Sequence, residues 1–253
     1  MRIAQMSFRI RSSTRAASSR TFVLIHGIGT SHRYMARLHD QLATQGDVHS
    51  IDLPGFGGMP KPTWSATVSD IARALGELLT ELEVAHAILV GHSMGSQWVV
   101  ELAARRPELA GMVVLIGPVT DDEHRSVRAQ SAALIRDILG EPFDANLLVF
   151  ADYLRCGPVW YSKQLPHMLA YPIERRVAAL SAPVLVVRGG SDPVAGVSWC
   201  RRLRDSAQNG RLVAVPSHRH VVQFTAAPAV ASAIQAHLPG SELWQPRPEL
   251  RVP

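Results

Sequence analysis

Lysine is almost missing from this chain: of its 26 basic residues only Lys61 and Lys163 are lysine, and the rest are arginine. That bias reads as the mark of a GC-rich genome rather than of nucleic-acid binding. The net charge is only +5 and is scattered, in pairs such as Arg105-Arg106, Arg175-Arg176 and Arg201-Arg202. Aromatic residues, at 6%, are too few to interleave with a basic face as nucleic-acid modules require. Cysteine is scarce too. Cys156 and Cys200 stand far apart and lack metal-ligand spacing, which predicts a reduced, cytoplasmic setting and no disulfide framework. No apolar run approaches the roughly 20 residues of a membrane span, and no apolar core follows the basic start as in a secretory leader. His-Glu-x-x-His and Cys-x-x-Cys patterns are missing, so no metal and no cofactor is expected. Acidic residues are absent before Asp40, and the Arg- and Ser-rich start resembles a transit peptide. A basic first strand and loop is the simpler reading of it.

What remains is a chain that can fold. Its 253 residues are 47% hydrophobic, which suits one domain with a sizeable core. Short apolar runs, mostly β-branched and bounded by Gly, Pro or polar residues, predict buried parallel strands at Thr21–Ile25, Val48–Ile51, Ala87–Val90, Met112–Ile116, Val184–Val187 and Leu212–Val215. Between them, Val68–Leu82 repeats apolar residues at spacings of three and four, which predicts one buried helical face. Gln97–Arg106 reads as a helix that stops before Pro107, and Ala226–Leu238 as a closing helix. Strands alternating with helices predict an α/β fold with a mostly parallel sheet covered on both faces. A further N-terminal strand is expected near Ser7–Arg11.

The rhythm breaks once. Residues 120–179 carry no convincing strand. Asp121–Gly140 and Phe143–Tyr171 read as helical, and the second part holds Phe150, Tyr153 and Trp160. This segment is expected to be an inserted helical lid between two parts of one core, 1–119 and 180–253. Its aromatics, with His26 and Gly27, are the expected lining of an apolar substrate pocket. The tail Pro239–Pro253, with its four prolines, is expected to lack regular structure.

The chemistry concentrates at Gly91-His92-Ser93-Met94-Gly95, preceded by an apolar strand and followed by a helix. A strand-to-helix turn there would be sharp, would need glycine on both sides of the serine, and would hold Ser93 at a helix N-terminus. The dipole and free amides of that helix end favour developing negative charge, which makes the Met94 amide a natural oxyanion donor. A serine hydroxyl is a weak nucleophile until a base takes its proton. His218, His220 and His237 are candidates, and the first two sit in the loop after the last predicted strand. An acid must orient that base. Asp192 follows the strand Val184–Val187, at the end of a strand where such sites collect; Asp121 or Asp122 is the reserve.

Four landmarks in order now carry a resemblance: His26-Gly27, Asp52-Leu53-Pro54-Gly55-Phe56-Gly57, the Ser93 turn, and Arg188-Gly189-Gly190-Ser191-Asp192-Pro193. The chain resembles the α/β-hydrolase-fold serine hydrolases over about Thr21 to Leu238. The resemblance implies a triad of Ser93, Asp192 and His220. In that family the base follows a proline by a few residues and precedes another by about eight, and His220, between Pro216 and Pro228, fits where His218 does not. It also implies a second oxyanion amide at Ile28, after His26-Gly27. Arg219 stands where the family usually has glycine.

The expected activity is hydrolysis of a small apolar carboxylic ester, lactone or thioester through an acyl-enzyme. Three alternatives stand beside it: a carbon–carbon bond hydrolase in which Arg155 binds a substrate carboxylate, a cofactor-free perhydrolase, and a non-catalytic ligand-binding homologue. Expected partners are a small-molecule substrate only, with no nucleic acid and no membrane, in a monomer or homodimer.

Overall fold

The computed structural model describes residues 1–15, 20–121 and 126–241. The chain opens with a small hairpin, β1 (Arg2–Ile3) and β2 (Met6–Ser7), turned at Ala4 and Gln5, both with positive φ as a tight two-residue turn requires. It continues as β3 (Arg9–Ser13), β4 (Thr21–Ile25), α1 (Ala36–Leu42), β5 (Asp47–Asp52), α2 (Val68–Glu81), β6 (Ala87–His92), α3 (Gly95–Arg105) and β7 (Ala110–Ile116). Four helices follow: α4 (Val127–Ile138), α5 (Phe143–Cys156), α6 (Pro158–Ala170) and α7 (Ile173–Ala178). The chain then completes its sheet with β8 (Val184–Gly189), α8 (Val197–Ser206), β9 (Gly210–Val215), α9 (Val222–Thr225) and α10 (Ala227–Ala236).

Seven strands form one sheet in the order β3-β5-β4-β6-β7-β8-β9. Only β3 runs antiparallel to its neighbour, pairing Arg9 with Asp52 through to Ser13 with Val48. The N-terminal strand thus starts later than expected. Met6 and Ser7 belong to the hairpin instead, and Phe8 turns into the core between the two strands. The central strands β6, β7 and β8 are mostly apolar and buried along nearly their whole length because both faces are covered. On one face Leu75, Leu79, Trp98, Leu102, Val177 and Trp199 join a core with Val113 and Val186. On the other, Leu38, Leu42, Phe224, Val230 and Ile234 pack against Val90 and Val114.

The six strands expected in this region all form, most of them a residue or two longer than their apolar runs. Their polar ends, such as Asp52, His92 and Gly189, are pulled into the ladder by backbone pairing and emerge where the site is built. α2 begins at a capping box: the Thr67 hydroxyl accepts the Asp70 amide at 3.2 Å, and the Asp70 carboxylate accepts the Thr67 amide at 3.1 Å. The stretch Phe143–Tyr171, expected to be helical, forms two helices separated at Gly157, whose φ of +73° no helix tolerates. Among the described residues, the segment between β7 and β8 contains no strand. The tail beyond residue 241 lies outside the described residues, as does Asp122.

Candidate active site

β6 runs straight into Ser93, and α3 leaves it two residues later. Ser93 has φ of +56°, a left-handed conformation that costs a non-glycine residue of order 1 kcal/mol. The surrounding sequence imposes it. A Cβ on Gly91 would collide with the Gly95 carbonyl, and one on Gly95 would lie 2.7 Å from the His26 carbonyl oxygen. The two glycines therefore let strand and helix approach more closely than any side chain permits. The Ser93 amide donates to the Ile116 carbonyl at 2.9 Å, which ties the turn to β7.

His220 lies in the loop after β9. Its Nδ1–H donates to Asp192 Oδ2 at 3.0 Å, leaving Nε2 as the ring's remaining nitrogen. Asp192 is itself held: its Oδ1 accepts the Val194 amide at 2.7 Å and the Ala195 amide at 2.9 Å. Behind it the Arg188 guanidinium donates to the carbonyls of Ala195, Gly190 and Asp192, which closes the loop around the carboxylate. Burial pushes the Asp192 carboxyl up, but the His220 charge and hydrogen bond, with the two amides, outweigh it and hold it below the usual carboxylate range. For His220 burial acts downward, while the charge and hydrogen bond of Asp192, then Asp137 and Glu141, carry the imidazole above its ordinary value.

Ser93 and His220 line one cavity, together with Gly27, Ile28, Tyr153 and residues of α4, α5 and α6. Gly27 packs directly on the serine, since a Cβ there would stand 3.0 Å from Ser93 Cβ. His26 lies behind that loop, neutral through burial. Its Nδ1–H donates to the Gly27 carbonyl at 2.7 Å and its Nε2 accepts the Leu53 amide at 3.1 Å, fixing the loop that carries Ile28. Met94 follows Ser93 as the cap of α3 and is buried outside the cavity lining.

The profile of the alpha/beta hydrolase family matches residues 22–233. This chain belongs to that family. The α/β-hydrolase is 36% identical over 97 residues to YugF of Bacillus subtilis, named only as an uncharacterized hydrolase; the match covers 38% of this chain and 36% of that one. It is 24% identical over 237 residues to the (E)-2-((N-methylformamido)methylene)succinate hydrolase of Acinetobacter baylyi, covering 85% of this chain and 89% of that one. The chain spans less than half the length of the curated relatives that are 33–36% identical to it, and what those whole proteins do stays with them. Among solved structures, the enol-lactonase of Burkholderia xenovorans LB400 aligns with a TM-score of 0.79 at 18% identity, over 92% of this chain and 96% of that one. At that identity the likeness shows the fold, an α/β-hydrolase fold.

The structure brings Ser93, Asp192, His220, Gly27, Ile28 and Tyr153 of this hydrolase to one place. It places others elsewhere. Phe150 is 61% exposed and does not line the cavity. Trp160 is buried outside it, edge-on to Phe56 at 6.3 Å and against Gly55. His218 bonds Thr225 and His237 bonds the Ala233 carbonyl, and Asp121 pairs with Arg202 at 2.6 Å. Arg155 pairs with Asp152 at 3.2 Å on α5, outside the cavity lining. Among the described residues no group of His, Cys, Asp or Glu side chains is arranged to hold a metal ion.

Several residues at the site were not legible as such. His92 is buried with its ring 4.8 Å from that of His220. Its Nε2–H donates to the His220 carbonyl at 2.9 Å, while the Tyr34 hydroxyl donates to its Nδ1 at 2.5 Å. Gly117, with φ of +52°, sits where a Cβ would touch the His220 ring at 3.0 Å. Asp137 and Glu141 approach the His220 loop from α4. A histidine inside the serine motif and a glycine ending β7 were visible signals. The two acids had none, because only the tertiary fold brings the end of α4 to the loop after β9.

Proposed function

We propose that this hydrolase cleaves an uncomplicated carboxylic acid derivative, an ester, lactone or thioester with an apolar acyl or alcohol part, through an acyl-enzyme on Ser93. The Ser93 hydroxyl attacks the carbonyl carbon while His220 Nε2 takes its proton. Asp192 keeps the imidazole in the Nδ1–H tautomer and stabilises the imidazolium that forms. The Ile28 and Met94 amides receive the oxyanion, each donor of this kind being worth about 10²–10³ in kcat. His220 then returns the proton to the leaving alcohol or thiol, and a water that it deprotonates releases the acid. Residues 120–179 act as a cap over the site, on a core formed by 1–119 and 180–253. The reading rests on one observation above all: an imidazole held by a buried carboxylate at 3.0 Å lines the same cavity as a serine kept in a strained turn.

A fluorophosphonate probe tests it. One equivalent of label is expected, on the peptide containing Ser93 by mass spectrometry, with loss of p-nitrophenyl butyrate turnover in parallel. An unlabelled protein would favour a ligand-binding role instead. Gly117→Ala gives a second check. Its methyl would press on the His220 ring, and a displacement near 1 Å costs about 10² in rate. We expect kcat to fall by about that factor with KM nearly unmoved; wild-type kcat would mean that the ring position does not matter.

A further inference from the structure

Two carboxyl groups line the cavity beside His220. Asp137 lies in the last turn of α4 and is 3% exposed, and its Oδ1 accepts the His220 amide at 3.0 Å. Glu141 follows on the next turn of chain, and its Oε1 accepts the Val221 amide at 3.0 Å. Both belong to the same cavity lining as Ser93, and among the described residues no Lys or Arg does. The positive charges acting on them are His220 and, after it, Arg219, whose guanidinium covers Gly140 and donates to the Arg136 carbonyl at 3.0 Å. Burial, before any other influence, raises both acids, and it lifts Glu141 to about 7.

A pocket lined by ionised carboxylates, with a neutral His220 and no lysine or arginine among the described lining residues, repels a second anion. The repulsion acts at short range in a cavity where water screens poorly. The rest of the lining mixes apolar side chains, among them Leu134, Ile138, Val149, Leu165 and Met168, with uncharged polar ones such as Gln130, Ser131 and Asn146. We propose that Asp137 and Glu141 form a charge filter: the part of the substrate lodged under α4 is uncharged, and acyl groups ending in a carboxylate are refused. The filter deepens the serine-hydrolase reading above and rests on it. The same two acids anchor the backbone of the histidine loop, so their removal must be read as a change in selectivity rather than in rate alone.

The experiment compares p-nitrophenyl butyrate with the mono-p-nitrophenyl ester of glutaric acid, which has a similar reach and ends in a carboxylate. At pH 8.5 the wild type is expected to favour butyrate by 100-fold or more in kcat/KM. Asp137→Asn with Glu141→Gln keeps an acceptor oxygen for each loop amide and removes the charge. That double variant should lower the preference at least tenfold by gaining turnover of the anionic ester. An unchanged preference with butyrate still hydrolysed overturns the filter and leaves the serine-hydrolase reading standing. Hydrolysis of neither ester by the wild type overturns both.

A measurement on the wild type alone covers the case in which the variant does not fold. The charged and titratable groups facing the pair are His220, Asp192, Arg219, Tyr34 and Tyr153. His220 serves both esters and cancels from their ratio. Glu141 is neutral below about 7 and ionised above it. Discrimination against the glutarate ester should therefore rise between pH 6 and pH 8.5, and a flat ratio counts against the filter.

Discussion

Ser93→Ala is expected to lower kcat for p-nitrophenyl butyrate by about 10⁴–10⁶, the range over which loss of a nucleophile leaves only binding and oxyanion stabilisation. The protein should stay folded. Ser93 is largely enclosed, its hydroxyl is a small group, and the turn depends on Gly91 and Gly95 rather than on the serine side chain. A companion variant separates chemistry from folding. Ser93→Gly removes the Cβ from a residue at φ +56° and relieves the left-handed strain. It should be as inactive as the alanine variant yet more stable by about 1 kcal/mol, a rise in Tm of about 2–4 °C for a chain of this size. Equal activity in all three proteins would end the assignment of Ser93. A glycine variant that melts lower than wild type would show that the turn is not a site of stored strain.

Asp192→Asn should be nearly as damaging, and for a different reason. The Val194 and Ala195 amides both donate to Oδ1, so the new amide group will keep its oxygen there and turn its NH₂ toward His220. Facing a donor, the Nδ1 of His220 must become an acceptor and the proton moves to Nε2. That nitrogen can then no longer take the proton of Ser93. A fall in kcat of about 10⁴ is expected with geometry nearly intact. The pH profile adds a sign. In the wild type the base must be neutral, and Asp192 holds the imidazole above its ordinary 6.5. Activity should thus rise with pH through a value above 6.5 and level off in mildly alkaline solution. With the carboxylate charge gone, burial is left as the leading influence and acts downward, so the limb of the residual activity should move to lower pH. A limb that stays in place would show that another group sets it.

The two predictions test groups that differ in how they could be recognised. Ser93 is identifiable from its neighbours along the chain, because a strand, two glycines and a helix within a few residues leave the backbone one conformation. Asp192 and His220 needed order and resemblance, since they follow different strands, β8 and β9, that the sequence does not show to be neighbours. The same limit explains the pocket. Tyr153, Phe150 and Trp160 are alike as aromatic residues between two strands, yet one lines the cavity, one faces solvent and one packs under Phe56. Helical phase decides between them, and phase follows from where α5 and α6 break at Gly157, not from residue type.

Thus the local grammar of this chain determined the sheet, the turn at Ser93 and the glycines that permit it, because those depend on steric exclusions among residues close in sequence. The order of strands gave the acid and the base their places at the carboxyl edge of that sheet. Only the tertiary structure decided which carboxylates line the cavity. Asp137 and Glu141 meet the amides of His220 and Val221 across 83 and 80 residues of chain. Contacts of that kind arise from packing the end of α4 against the loop after β9, where no periodicity or motif records the approach.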